Sequence, residues 1–157
     1  MKRKKVWLMC GIPGSGKSTW IQKQIKTNPG TWCSRDNVRF SMVREDEEYF
    51  SREDEVFEAW IFSIQAAIAN SDVENVYIDA THLNDKARNK VLNRLNLNDV
   101  DLYAVNFAVP LEECLRRNDL REGRAKVPVS VVRRMHFSFS PVIPEDERFA
   151  EVINIIW

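Results

Sequence analysis

Histidine, cysteine and glycine are all scarce in this 157-residue chain, at two, three and five residues. The two histidines, His82 and His136, and the cysteines Cys10, Cys33 and Cys114 show no metal-ligand spacing, which argues against a protein-ligated zinc site. An odd cysteine count, with two of the three in apolar strand-like segments, gives no disulfide framework, so a reducing cytoplasm is the expected compartment. Long apolar runs are missing, as is any signal-peptide pattern, so no membrane association is expected. An excess of either charge is missing too. Lys and Arg total 23 against 23 Asp and Glu, so a surface for a polyanion has to be local. The basic run Lys2-Arg3-Lys4-Lys5 is short and reads as a solubilising lead-in to the first strand. With no internal repeat, low-complexity tract or linker, residues 1–157 are expected to form a single domain.

The few glycines are concentrated. Three of the five fall in Gly11-Ile12-Pro13-Gly14-Ser15-Gly16-Lys17-Ser18, a complete phosphate-binding (Walker A) loop. Apolar Val6–Cys10 precedes it and helical Thr19–Ile25 follows, so the loop joins a buried strand to a helix N-terminus. That context separates it from a glycine-rich turn that merely ends a strand. Glycines let the backbone N–H groups turn inward on phosphate oxygens, and the helix start adds partial positive charge. Gly14, Ser15, Gly16, Lys17, Ser18 and Thr19 are therefore the candidate ATP contacts, with Lys17 reaching the β- and γ-phosphates and Ser18 binding Mg²⁺.

Apolar runs and helical patterns alternate along the rest of the chain. Strands are expected at Val6–Cys10, Thr31–Ser34, Val73–Ile78, Leu102–Val109 and Glu151–Trp157. Helices are expected from Lys17 to Thr27, Val56 to Asn70, Lys86 to Leu95, Leu111 to Arg121 and Val129 to Phe137. The expected class is α/β: a phosphate-loop NTPase-type parallel five-stranded sheet with helices on both faces and a helical lid at about 116–128. Ligands in such sheets collect at the carboxyl ends of the strands, which brings the loop, Arg35-Asp36 and Asp79 to one edge.

Asp79 ends an apolar strand, where a carboxylate can help hold Mg²⁺, or simply cap a turn. Thr81 and His82 fall at the rim, with a plain surface role for His82 at least as favoured as proton transfer. Asp36, on the loop after the second strand, is placed to orient a hydroxyl acceptor and take its proton. Arg35 and Arg39 flank it with forks that suit an acceptor phosphate, although a salt-bridged loop would look the same. Arg117 and Arg121 are four apart and share a face if helical, reading either as lid arginines over a triphosphate or as a solvated charged helix.

Beyond these single residues, the chain resembles the kinase domain of the bacteriophage-type 5′-hydroxyl polynucleotide kinases. The likeness runs through Gly11–Trp20, Ser34-Arg35-Asp36-Asn37-Val38-Arg39, Asp79-Ala80-Thr81-His82-Leu83-Asn84, Arg117-Asn118 with Arg121, and Val127-Pro128. The resemblance implies an ATP- and Mg²⁺-dependent kinase acting on the 5′-hydroxyl end of DNA or RNA, in a bacterial or phage-infected cell. It implies Lys17, Asp36 and Arg121 as catalytic residues, with Asp36 the general base, and Ser18 and Asp79 at the metal. Arg117 and Arg121 then serve the nucleotide, while Arg35, Arg39, Thr81 and Val127 face the acceptor, Val127 offering an apolar surface to its terminal base. A homo-oligomer and a separate ligase or phosphatase partner are compatible with it. The family's bacteriophage members carry a C-terminal phosphatase domain, whereas the elements expected here stop after a fifth strand, so no 3′-phosphatase activity is expected of this sequence. The segment Phe139–Phe149 resembles a wider group of small phosphate-loop kinases, which keeps two alternatives in play: a kinase of nucleoside, sugar or antibiotic hydroxyls, and a nucleotide-binding ATPase module.

Overall fold

The computed structural model describes residues 3–157, so Lys2 of the basic run lies outside the described residues. Strands β1 (Lys4–Cys10), β2 (Gly30–Ser34), β3 (Asn75–Asp79), β4 (Val100–Ala108) and β5 (Glu151–Ile156) form one parallel sheet in the order β2-β3-β1-β4-β5. The connecting helices are α1 (Lys17–Thr27), α2 (Arg35–Met42), α3 (Glu53–Ala69), α4 (Asp85–Leu92), α5 (Leu111–Asp119) and α6 (Val129–Ser138), with a 3₁₀ turn at Gly123–Ala125. Strand β1 is central, and the chain moves to opposite sides of it for β3 and β4. Its carboxyl end is thus the switch point where a crevice opens, and the phosphate loop starts there.

Period-two alternation in β1 sends its side chains to two different cores. Val6, Leu8 and Cys10 face α3 and α4 with Trp60, Ile61, Ile64, Val91 and Leu92. Trp7 and Met9 face α1 with Ile21, and Trp7 stacks on Tyr103 at 4.6 Å between centroids. Each large apolar side chain buried in these layers contributes about 1.5–3 kcal/mol. Trp60 is fully buried and donates its indole N–H to the Cys33 carbonyl at 3.0 Å, locking α3 to β2 beside the crevice. A third, smaller cluster of Ile12, Cys114 and Val132 joins α5 and α6 to the loop. Helices lie on both faces, as expected for the class. No helix among the described residues is long and apolar enough to cross a membrane.

Two expected elements are corrected. Asp36 does not lie on a loop: the Ser34 hydroxyl accepts from the Asn37 N–H at 3.2 Å, and this cap starts α2 directly at the end of β2. Nor do Arg117 and Arg121 share a helix face, because α5 ends at Asp119 and the Arg121 N–H turns back to the Asn118 carbonyl at 3.0 Å. The chain then turns at Gly123, whose φ of 59° only glycine adopts readily.

Candidate active site

One cleft of about 1150 Å³ lies along the carboxyl edge of the sheet, lined by the phosphate loop, α2, the segment before α3, and the lid. Its floor is the loop. Gly14 and Gly16 have φ of 83° and 97°, and a Cβ on Gly14 would fall 2.6 Å from the Cys114 carbonyl oxygen. Gly16 caps α1 without a side-chain bond, and the first turn carries no acid, which leaves the helix N-terminus open to an anion. Among the described residues, the Ser15 hydroxyl is buried without a partner, and Lys17 Nζ donates only to the loop carbonyls of Gly11 and Ile12, each at 2.9 Å. Desolvation pushes the Lys17 ammonium below its ordinary range, opposed by the charges of Asp79 and Asp36. Left-handed glycines, an uncapped helix start, an orphaned hydroxyl and an ammonium bonded only to loop carbonyls fit a triphosphate.

Next to the loop, Ser18 Oγ lies 3.4 Å from Asp79 Oδ2, and the same carboxylate oxygen accepts the Trp32 indole N–H at 2.9 Å. Burial raises the Asp79 carboxyl above its usual range, while the Lys17 charge and the Trp32 bond favour ionisation. A hydroxyl beside a carboxylate is a hard oxygen set that suits Mg²⁺, with water and phosphate completing the shell. The described residues hold no group of three His, Cys, Asp or Glu able to cage an ion alone. Thr81 lines the cleft, and its carbonyl accepts the Gly11 N–H at 2.9 Å, fixing the loop's first residue.

Across the cleft, Asp36 projects from the first turn of α2 with its side chain 71% exposed. Arg39 donates Nη1 to Asp36 Oδ1 at 2.6 Å, and Nε and Nη2 to the two Glu53 oxygens at 2.6 and 2.9 Å. Arg35 adds a bond to Glu53 at 3.1 Å and lays its guanidinium 5.4 Å from the Phe57 ring. Burial opposes the Arg39 charge, but the Glu53 hydrogen bonds prevail and its pKa is raised. Arg39 therefore sits in the cleft wall already committed to two carboxylates, which is less free than a fork waiting for an acceptor phosphate.

The lid closes the remaining side. Arg117 Nη1 donates to the Gly14 carbonyl at 3.1 Å, Nε to Glu113 at 3.0 Å, and the guanidinium lies 4.7 Å from the Trp157 ring. Arg121 is exposed and lines the cleft, close enough for its charge to act on Lys17. Asn118 clamps Val127 through both amide groups, at 2.6 and 2.9 Å, which sets where Val127 lines the cleft. Arg124 reaches from the 3₁₀ turn to the Val43 carbonyl at 2.8 Å and lies over Phe40 and Tyr49.

The surface role expected for His82 is wrong. His82 is buried, with a left-handed φ of 42°, and its Nδ1 lies 2.6 Å from the Met9 carbonyl beneath Trp60. Burial lowers its pKa from 6.5 to about 4. Between those values the unfolded chain binds the proton and the folded one does not, so stability is full above pH 6.5 and falls as pH drops toward 4. The expected loss is roughly 2–3 kcal/mol from this one group. Urea unfolding at pH 7 and pH 4.5 should show a smaller pH-dependent loss in His82→Gln than in the wild type, and an equal loss refutes the assignment.

Several cleft residues carried no signal in the sequence: Trp32, Glu53, Phe40, Tyr49, Phe50 and the pair Ile156-Trp157. Trp32 reaches Asp79 only because β2 lies beside β3, with Ser34 in register with Asp79. Tyr49-Phe50 fall in a stretch that reads as merely charged.

Residues 6–142 match the model of a family described as AAA domain. Among solved structures, a chain of the Pnkp1/Rnl/Hen1 RNA repair complex superposes with a TM-score of 0.73 at 23% identity, over 88% of this chain and 44% of that one. The present chain thus spans less than half the length of that structural relative. A fungal RNA kinase superposes with a TM-score of 0.62 at 16% identity, over 99% of this chain and 76% of that one. A gluconokinase from Sinorhizobium meliloti 1021 gives the same TM-score at 15% identity, over 99% and 83%. Shared architecture at such identities establishes a phosphate-loop kinase-like fold and leaves the acceptor open.

Proposed function

The chain belongs to the AAA domain family, and from that premise we propose that it is an ATP-dependent kinase of the 5′-hydroxyl end of DNA or RNA. One observation carries the reading. Asp36 stands open to the cleft that Lys17 floors, near enough for its charge to act on Lys17, and a single hydrogen bond from Arg39 orients it. Asp36 accepts the proton of the acceptor hydroxyl, and the freed oxygen attacks the γ-phosphorus in line as the bond to the β-phosphate oxygen breaks. Lys17 and Arg121 offset the charge that builds on the transferring group. Mg²⁺, held through Ser18 and Asp79, would neutralise β- and γ-oxygens. The loop N–H groups and Arg117 orient the triphosphate.

Structural likeness to a fungal RNA kinase and to an RNA repair complex supports a nucleic-acid end as acceptor and a repair assembly, with a separate ligase or phosphatase, as its setting. A small-molecule kinase is the second reading, favoured by the engagement of Arg39 with Glu53 and by the gluconokinase likeness. Label transfer from γ-labelled ATP to a 5′-hydroxyl oligonucleotide, a nucleoside 3′-monophosphate, the bare nucleoside and gluconate separates them. The oligonucleotide and the 3′-monophosphate are expected to accept label far better than the nucleoside. Equal use of all three, or preference for gluconate, rejects the polynucleotide reading, and ADP release indifferent to any acceptor would make it an ATPase.

A further inference from the structure

We propose, building on the kinase reading above, that Phe50, backed by Arg39 and flanked by Tyr49 and Phe40, is the stacking surface for the nucleobase of the acceptor's 5′-terminal nucleotide. Three aromatic residues line the cleft on the Asp36 side, and none belongs to a hydrophobic core cluster of the described residues. Phe40 and Phe50 stay 38% and 43% exposed. They are linked through Tyr49, which makes a tilted pair with Phe40 at 5.3 Å and a T-shaped pair with Phe50 at 4.9 Å between centroids. Arg39 lies 5.0 Å from the Phe50 centroid and 5.2 Å from that of Tyr49, while its Nη1 holds Asp36.

That arrangement makes the Asp36 carboxylate and the aromatic wall neighbours: the Arg39 guanidinium bridges them, donating to Asp36 at 2.6 Å and lying 5.0 Å from the Phe50 centroid. A hydroxyl placed on Asp36 therefore carries its base toward the aromatic wall. Stacking on a π-face tolerates any base, which suits an enzyme that acts on ends of varied sequence. Val127, by contrast, has its side chain packed into the small lid cluster and its backbone clamped by Asn118, so less of it is free to receive a base. Arg124 supplies the wall's far edge: it lies over Phe40 and Tyr49 and ties the lid to the Val43 carbonyl. Lid closure and base capture then share residues.

The test compares 5′-hydroxyl oligonucleotides that differ only in a terminal base or a terminal abasic residue, for wild type, Phe50→Leu, Phe50→Trp and Val127→Ala. The wild type is expected to prefer the base-bearing end in kcat/KM by about 10–100-fold, the size of one stacked base. In Phe50→Leu that ratio falls toward one, chiefly through KM, and Phe50→Trp restores it. A wild-type ratio near one, or equal losses on both substrates in Phe50→Leu, overturns the stacking role while leaving the kinase reading intact. A ratio that moves with Val127→Ala and not with Phe50→Leu transfers the base to the lid. Failure of the wild type to label either oligonucleotide overturns both proposals.

Discussion

Asp36→Asn is expected to slow phosphoryl transfer to a 5′-hydroxyl oligonucleotide by about 10²–10⁴-fold, the range a positioned general base contributes. The change is almost isosteric, and the amide oxygen can still accept from Arg39 Nη1 where the carboxylate now does at 2.6 Å. Arg39 would therefore keep its place between Asp36 and Glu53, and α2 its Ser34 cap, so thermal unfolding should move little. What is lost is the ability to take a proton. The defect should appear in single-turnover transfer, with ATP affinity near that of the wild type, because the triphosphate rests on the loop across the cleft. A variant that transfers label at the wild-type rate ends the base assignment. One that loses ATP binding as well places Asp36 with the nucleotide instead.

How much of this was legible in advance divides by distance along the chain. The phosphate loop is local, so an eight-residue pattern between a strand and a helix was enough to place it at the carboxyl end of β1, with left-handed turns at Gly14 and Gly16. The strands of the sheet are apolar enough to announce themselves. Asp36 and Asp79 were readable because Asp79 ends β3 and Asp36 follows two residues after the end of β2, and the carboxyl edges of strands must meet in a parallel sheet. The second half of the cleft wall around Asp36 was not. Glu53 comes 17 positions after Asp36 and meets Arg39 only once α3 folds back across α2, a contact no spacing rule encodes. Trp32 looks like an ordinary strand residue until the order β2-β3-β1 places it against Asp79. His82 misled for another reason: polar residues after a strand usually face solvent, but a left-handed turn drives this one inward onto the Met9 carbonyl.

Arg121→Ala should cost at least as much as the loss of one oxyanion donor, about 10²-fold in kcat, and up to the 10³–10⁵-fold associated with an arginine supplied to a transferring phosphoryl group. Arg117, Arg121 and Arg124 of the lid all line the cleft, and the surroundings of the first two assign them different work. Arg117 is spent on the protein, bonded to Gly14 and Glu113 and resting on Trp157, so it shapes the loop and the nucleotide's seat. Arg121 lies past the end of α5, is exposed, and its side chain makes no hydrogen bond among the described residues. Its charge nevertheless acts on Lys17, so it lies within electrostatic reach of the phosphate loop. A guanidinium that bonds to none of the described residues is free to engage charge that appears only during transfer, which is the condition for raising kcat rather than lowering KM. Arg121→Lys keeps the charge but not the planar fork, and should fall between alanine and wild type. Arg117→Ala should instead raise KM for ATP. Rapid-quench transfer with saturating ATP distinguishes the two. If Arg121→Ala weakens ATP binding with kcat untouched, Arg121 is a ground-state clamp, and the charge on the transferring group falls to Lys17 and the metal.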